Sequence, residues 1–280
     1  MASGKPFIGC SIQVLTHNNA GTIGACLESL REFGEVIVQD GYSTDGTKEI
    51  ALKYPNVTFV DQNKKYLDKD GYITDFSSLR NETIQAAKYD WIFPVDADEI
   101  LSPAEADEMR AIIERGTPGV YVSFRRFYLN GEKIDYCSGY PALQIRLFHR
   151  GLVIDGYRKQ VHELLNMKPG ITTQPMKAEH PVPLAPIEEL MPKYDRYLQM
   201  ELKRHGVPSY GHWFQWVFIR NLKTITVLTL RLLRIWLVPR KGKRMPLGYE
   251  LIAYKYSLRV MWAMFPPNAR KALQKQGLLK

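Results

Sequence analysis

The sequence predicts an α/β protein: a mostly parallel sheet with helices on both faces, followed by a basic helical region. Three observations carry this. Apolar runs of strand length alternate with segments of helical spacing over the first hundred residues. The links between them are short, as parallel crossover units require. Charge is also unevenly divided. Residues 193–280 hold 18 Lys and Arg against three acids, while residues 1–192 hold 20 against 26, within a net charge of +9. An acidic body with a strongly basic tail suggests an anionic partner for the tail, either a membrane surface or a nucleic acid.

The elements follow in order. "FIGCSIQVLT" (7–16) is strand-like and ends at "HNN". "TIGACLESLREF" (22–33) places Ile23, Leu27, Leu30 and Phe33 at helical spacing. "EVIVQD" (35–40) is a short buried strand, and "GYSTDGT" is a turn rich in Gly, Ser and Asp. A short helix over 45–54, a strand over 56–61 and a helix over 75–89 lead to a fourth strand, "DWIFPVD" (90–96). "PAEADEMRAIIERG" then starts a helix near Pro103, and "GVYVSFRRFYLNG" (119–131) alternates aromatic and basic residues in strand fashion.

Three cysteines, Cys10, Cys26 and Cys137, are far apart and have no zinc spacing, which points to a reducing compartment. The first residues lack the charged and apolar blocks of an export signal. In a parallel sheet, ligands bind at the carboxyl ends of the strands. Those ends carry Thr16, His17 and Asn18 after the first strand, Asp40 after the second, and Asp96, Asp98 and Glu99 after the fourth. Three carboxylates so close repel one another and lose hydration on burial. From the residues alone two readings stay open: a solvated helix start, where acids favour the dipole, or a site for a cation or a ligand's hydroxyls.

In order and spacing, "SIQVLTHNN", "VIVQDGYSTDGT" and "SSLRNETIQAAKYDWIFPVDADE" resemble the motifs of family 2 glycosyltransferases with the GT-A fold, a Rossmann-like architecture. The stretch "QIRLFHRGLVIDGYRKQVHELL" (144–165) extends the resemblance toward the bacterial lipopolysaccharide-core β-glucosyltransferase group. The resemblance implies that Asp40 contacts the donor's base, with Thr16 and Asn18 lining the same pocket and Arg80 a nucleotide contact. It implies Asp96 at the ribose or the metal and Asp98 as a metal ligand, with Mg²⁺ or Mn²⁺ bridging the diphosphate of a sugar nucleotide. An inverting transfer needs a base for the acceptor hydroxyl. Glu163 is the expected base, with Asp155 the alternative and Glu99 a weaker one. His162 and His180 are candidate late metal ligands.

The expected division is a GT-A domain over 1–190, its nucleotide-sugar half about 1–103 and its acceptor half about 104–190, then a membrane-associating region over 191–280. Arg125 and Arg126 face either an anionic acceptor or solvent, and "YCSGYPA" (136–142) reads as a mobile loop over the site. In the tail, "HWFQWVFIRNLKTITVLTLRLLRIWLVPRKGKR" (212–244) is apolar yet broken by Arg220, Lys223, Arg231 and Arg234 on one helical face. It is too interrupted to span a bilayer and suits a helix lying in the membrane interface. The expectation is a peripheral enzyme on the cytoplasmic side of the cell membrane. It would move a hexose from a nucleotide sugar, which the resemblance implies is UDP-linked, to a lipid-linked or lipopolysaccharide acceptor. The alternatives are a polyprenyl-phosphate sugar synthase of the same fold, or a non-catalytic basic module binding membrane or nucleic acid. The acidic body speaks against nucleic acid, and oligomeric state is open.

Overall fold

The computed structural model describes residues 6–68, 71–158, 164–238 and 241–279. The chain divides into two compact units, Met1–Arg126 with Pro141–Pro183, and Phe127–Tyr140 with Leu184–Lys280.

The first unit opens with the predicted alternation: β1 (Ile8–Thr16), α1 (Ile23–Ser29), β2 (Phe33–Asp40), α2 (Thr47–Ala51), β3 (Val57–Asp61), α3 (Phe76–Ala86) and β4 (Trp91–Asp96). Next come α4 (Pro103–Glu114), β5 (Val120–Leu129), β6 (Glu132–Lys133), β7 (Ala142–His149), β8 (Val153–Arg158), β9 (Leu164–Met167) and β10 (Gln174–Pro183), of which β6 and the last three residues of β5 belong to the second unit. Among the described residues the main sheet runs β10-β5-β7-β4-β1-β2-β3, and β8 and β9 form a separate pair. Strands β4, β1, β2 and β3 are parallel. β7 runs antiparallel to both β4 and β5. The sheet is therefore mixed; of its antiparallel half the sequence predicts only the strand over 119–131, which is β5.

β1 is buried along nearly its whole length because it lies between β2 and β4. Its two central polar side chains both donate hydrogen bonds, although Gln13 Oε1 is buried without a hydrogen-bond partner among the described residues. Ser11 Oγ donates to Glu35 Oε2 at 2.5 Å, and Gln13 Nε2 donates to the Arg80 carbonyl at 3.0 Å. The core around β1 collects Ile12, Val14, Leu27, Val38, Phe93 and Met109. Helix starts obey capping chemistry: Asp75 Oδ1 accepts from Ser78 N at 3.0 Å, and Ser102 Oγ accepts from Glu105 N at 3.2 Å. Between β8 and α3, Gly156 has φ +86°, and a Cβ there would lie 2.1 Å from Asn81 Oδ1. Asn81 accepts from Tyr157 N at 2.7 Å and donates to the Tyr157 carbonyl at 3.0 Å.

The second unit is mainly helical. Its helices are α5 (Ile187–His205), α6 (Tyr210–His212), α7 (Ile219–Leu237), α8 (Leu247–Ala263) and α9 (Pro266–Lys275), with a π-helical turn, Trp213–Phe218, joining α6 to α7. Leu198, Leu202, Val217, Met264 and Ala269 form one core, and Trp213 Nε1 donates to the Met261 carbonyl at 2.9 Å. Ile134, Cys137 and Met245 form another. The segment expected as a mobile loop is anchored here instead, because buried Glu250 accepts from both N and Oγ of Ser138. On α7, Ile225, Leu228, Leu232 and Ile235 turn away from solvent, whereas Leu222, Leu230, Leu233, Trp236 and Leu237 are exposed beside Arg220, Lys223, Arg231 and Arg234. Among the described residues no helix is long and apolar enough to cross a membrane.

Candidate active site

The strand register brings the predicted ends together. Thr16 pairs with Asp40, Leu15 with Asp96, and Asp40 with Asp61, so the carboxyl ends of four parallel strands form one edge. The loops after β1 and β2 are laced across this edge. Gly41 N donates to the Thr16 carbonyl at 2.8 Å, and Gln62 Nε2 reaches the carbonyls of Thr16 and Gln39 at 3.2 and 3.0 Å. Asn18 N donates to Ser43 Oγ at 2.7 Å, and Thr44 N donates to Asn18 Oδ1 at 2.9 Å. His17 Nδ1 donates to the Gly41 carbonyl at 2.7 Å, which assigns its proton to that nitrogen.

Three of the expected donor contacts are thus builders of the edge. Thr16 is buried, with Oγ1 donating to Asn19 Oδ1 at 3.0 Å. Asn18 is exposed and sits at φ 53°, a conformation asparagine tolerates better than most residues. Asp40 is 2% exposed, and its two oxygens accept from Ser43 N at 2.8 Å and Ser43 Oγ at 2.5 Å. Tyr42, which the sequence did not single out, holds φ 63° beside them, its hydroxyl donating to the Gln62 carbonyl at 2.9 Å. Lys64 Nζ lies 4.9 Å above its ring. A positive φ at so bulky a residue is strained backbone.

The three carboxylates after β4 have separate fates. Asp96 and Asp98 are exposed, and Arg80 Nη2 from α3 lies 3.3 Å from Asp96 Oδ1. Glu99 is 1% exposed and turns inward. It accepts from Arg146 Nη1 and Nη2 at 2.8 and 2.7 Å and from the Asp96 backbone N at 3.0 Å. His180, also buried, lies with Nε2 3.1 Å from Glu99 Oε2 and Nδ1 3.0 Å from Glu105 Oε2. Burial opposes the charge on Glu99, but Arg146 and His180 overcome it and hold its carboxyl well below the usual range. Burial and Arg146 both push the His180 imidazole down, yet its bonds to Glu105 and Glu99 win and raise its pKa. With His180 protonated, two carboxylates face two cations, and the buried group is neutral.

This network corrects two expectations. His180 belongs to the interior rather than to an exposed metal site, because both ring nitrogens face carboxylates of the core. Glu99 is excluded as a base for the same reason, since its oxygens are committed to Arg146 and to backbone. Arg126 is likewise no solvated charge: it is 9% exposed and makes a two-pronged pair with Glu179, Nε to Oε2 at 2.8 Å. The alternative base Asp155 is exposed on β8, the strand that Asn81 ties to the same helix that carries Arg80. Glu163 and His162 lie outside the described residues.

The donor set suits a hard divalent cation. Asp96 and Asp98 offer exposed oxygens two residues apart, and Mg²⁺ commonly takes one or two carboxylates plus phosphate oxygens. Among the described residues no three His, Cys, Asp or Glu side chains converge to hold an ion alone. An ion at this turn would therefore draw its other ligands from a substrate and water.

The sequence profile described as "Glycosyl transferase family 2" matches residues 11–166. The chain is 29% identical over 180 residues to the SPbeta prophage-derived glycosyltransferase SunS of Bacillus subtilis (strain 168), covering 53% of this chain and 40% of SunS. It is 25% identical over 159 residues to the lipopolysaccharide core biosynthesis glycosyltransferase LpsC of Rhizobium meliloti (strain 1021), covering 56% of this chain and 57% of LpsC. The chain thus spans about half the length of these relatives or less. Among solved structures, S. aureus TarS 1-349 in complex with UDP aligns with a TM-score of 0.46 at 15% identity, over 96% of this chain and 91% of that one.

Proposed function

The chain belongs to glycosyl transferase family 2, and from that premise we propose that it moves a hexose from a UDP-linked sugar to a lipid-linked or lipopolysaccharide-core acceptor at a membrane surface, with inversion. The observation that carries this reading is the strand register, which sets Asp40 and Asp96 along one edge, with Arg80 of α3 lying 3.3 Å from Asp96. The laced loops after β1 and β2 would receive the nucleoside, with Arg80 near the phosphates. Asp96 and Asp98 would hold Mg²⁺ or Mn²⁺, which supplies charge neutralisation on the departing diphosphate. Glu163 would take the acceptor's proton, with Asp155 as the alternative.

The likeness to LpsC, named for lipopolysaccharide core biosynthesis, favours that class of acceptor. Leu230, Leu233, Trp236 and Leu237 are exposed on a helix that also exposes four cations. No Asp or Glu occurs between Leu202 and Tyr249. Apolar and basic residues together favour an anionic membrane surface, on the cytoplasmic side.

The test is turnover on a panel of nucleotide sugars with lipid-linked and lipopolysaccharide-core acceptors, followed by release of nucleoside diphosphate. Release that needs one sugar nucleotide, one acceptor class and a divalent ion supports the proposal. Transfer only to a polyprenyl phosphate would reassign the acceptor, and no release with any donor would refute the reading.

A further inference from the structure

We infer that Arg146 is a positioning residue for the Asp96 and Asp98 carboxylates, acting through Glu99 and the Pro94 carbonyl. The inference rests on the reading of Asp96 and Asp98 as the ends of a metal–diphosphate site. Its starting point is a break in the sheet. The β4–β7 ladder joins Trp91 to His149 and Ile92 to Phe148. It stops before Pro94, which has no N–H to continue it.

On β7, Ile145 pairs with Val122 and Leu147 with Tyr121, so Arg146 is the extra residue of a β-bulge. Bulges re-aim the side chain they insert. Here the guanidinium enters the place the ladder vacates. Nη1 donates to the Pro94 carbonyl at 2.9 Å and to Glu99 Oε2 at 2.8 Å, and Nη2 donates to Glu99 Oε1 at 2.7 Å.

Glu99 passes the constraint on. Its Oε2 accepts from Asp96 N at 3.0 Å, and its own N donates to the Asp96 carbonyl at 2.9 Å. The turn that carries both exposed carboxylates is therefore closed at both ends by one buried glutamate, and that glutamate is gripped by a two-pronged arginine. His180 and Glu105 complete its surroundings.

A buried ion pair of this kind adds little net stability against an apolar replacement, because desolvation offsets attraction. What it supplies is direction: a planar fork admits one orientation of the carboxylate. Groups that orient metal ligands from behind typically change metal affinity or activity by about 10–100-fold when lost.

The experiment uses the full chain and the double variant Glu99→Gln with Arg146→Met, which removes both charges together. Two quantities are read: hydrogen exchange of the peptide covering residues 92–101, and Mn²⁺ affinity in the presence of UDP by calorimetry. The expected result is a folded protein with an unchanged melting midpoint, faster exchange confined to 92–101, and Mn²⁺ affinity lower by about 10–100-fold. Should the double variant not fold, Arg146→Lys keeps the charge without the fork, and a loss of at least threefold in Mn²⁺ affinity is expected. A folded variant with wild-type exchange and wild-type Mn²⁺ affinity overturns the inference. A wild-type protein that binds no Mn²⁺ with UDP overturns the metal reading and the inference with it, and is distinguished because the unaltered chain already fails.

Discussion

At the residue scale, a string of three acids resolves into two environments. Asp96 and Asp98 face solvent at a strand end, while Glu99 is a core residue that happens to follow them. The sequence could mark the cluster but not divide it, because Arg146 and His180 lie 47 and 81 positions further on and only the sheet brings them together. The network has a pH signature. The His180 pKa is raised in the folded state, so its contribution is complete below the unfolded value near 6.5 and is lost as pH rises through the folded value. Urea midpoints of the wild type are expected to fall from pH 6 toward pH 9, and those of His180→Gln to show a smaller fall; parallel curves would remove His180 from the account. The base makes a second prediction. Glu163→Gln is expected to lower kcat by about 10²–10⁴-fold with donor affinity retained. A near-normal kcat, with the loss seen in Asp155→Asn instead, moves the role to Asp155.

At the element scale, periodicity and turn residues were enough to read β1 to β4 and the helices between them. These strands are apolar throughout because helices and neighbours enclose them. In the antiparallel half β5 was legible, but β7 and β10 escaped notice because β7 carries Arg146 in mid-strand and β10 is broken by Pro175, Pro181 and Pro183, which interrupt any alternating pattern. Bulges and ladder ends have no sequence period, so the Arg146 insertion was invisible as well. The seam between α3 and β8 yields a prediction. Gly156→Ala would set a Cβ 2.1 Å from Asn81 Oδ1 at φ +86°. A loss on the order of 1–3 kcal/mol is expected, seen as a lower melting temperature with the family's strand edge intact. An unchanged melting temperature would mean that β8 shifts freely against α3.

At the scale of the whole molecule, the charge division found in the sequence falls close to the division into units: a sheet unit with an acidic edge, and a helical unit exposing cations and apolar residues. Deleting the tail is a poor test of that division. Ile134 and Cys137, far upstream, share a core with Met245, so truncation would strip a cover from residues 127–140. Replacing Arg220, Lys223 and Arg234 with glutamine leaves that core untouched, and Arg231 is kept because its Nη1 donates to the Ser138 carbonyl at 3.3 Å. Flotation with vesicles of graded anionic lipid is expected to show binding by the wild type, weakening with salt, and much less binding by the variant. Equal flotation of both would shift the contact elsewhere.

The central claim is that the acidic strand end holds a divalent ion against a nucleoside diphosphate. Calorimetric titration of the full chain with UDP, in Mn²⁺ and again in EDTA, tests it most directly. The account predicts binding in Mn²⁺ that is strongly weakened by EDTA and by Asp98→Ala, with the variant's melting temperature unchanged because Asp98 is exposed. UDP affinity that is the same in Mn²⁺, in EDTA and in the Asp98→Ala variant would contradict it.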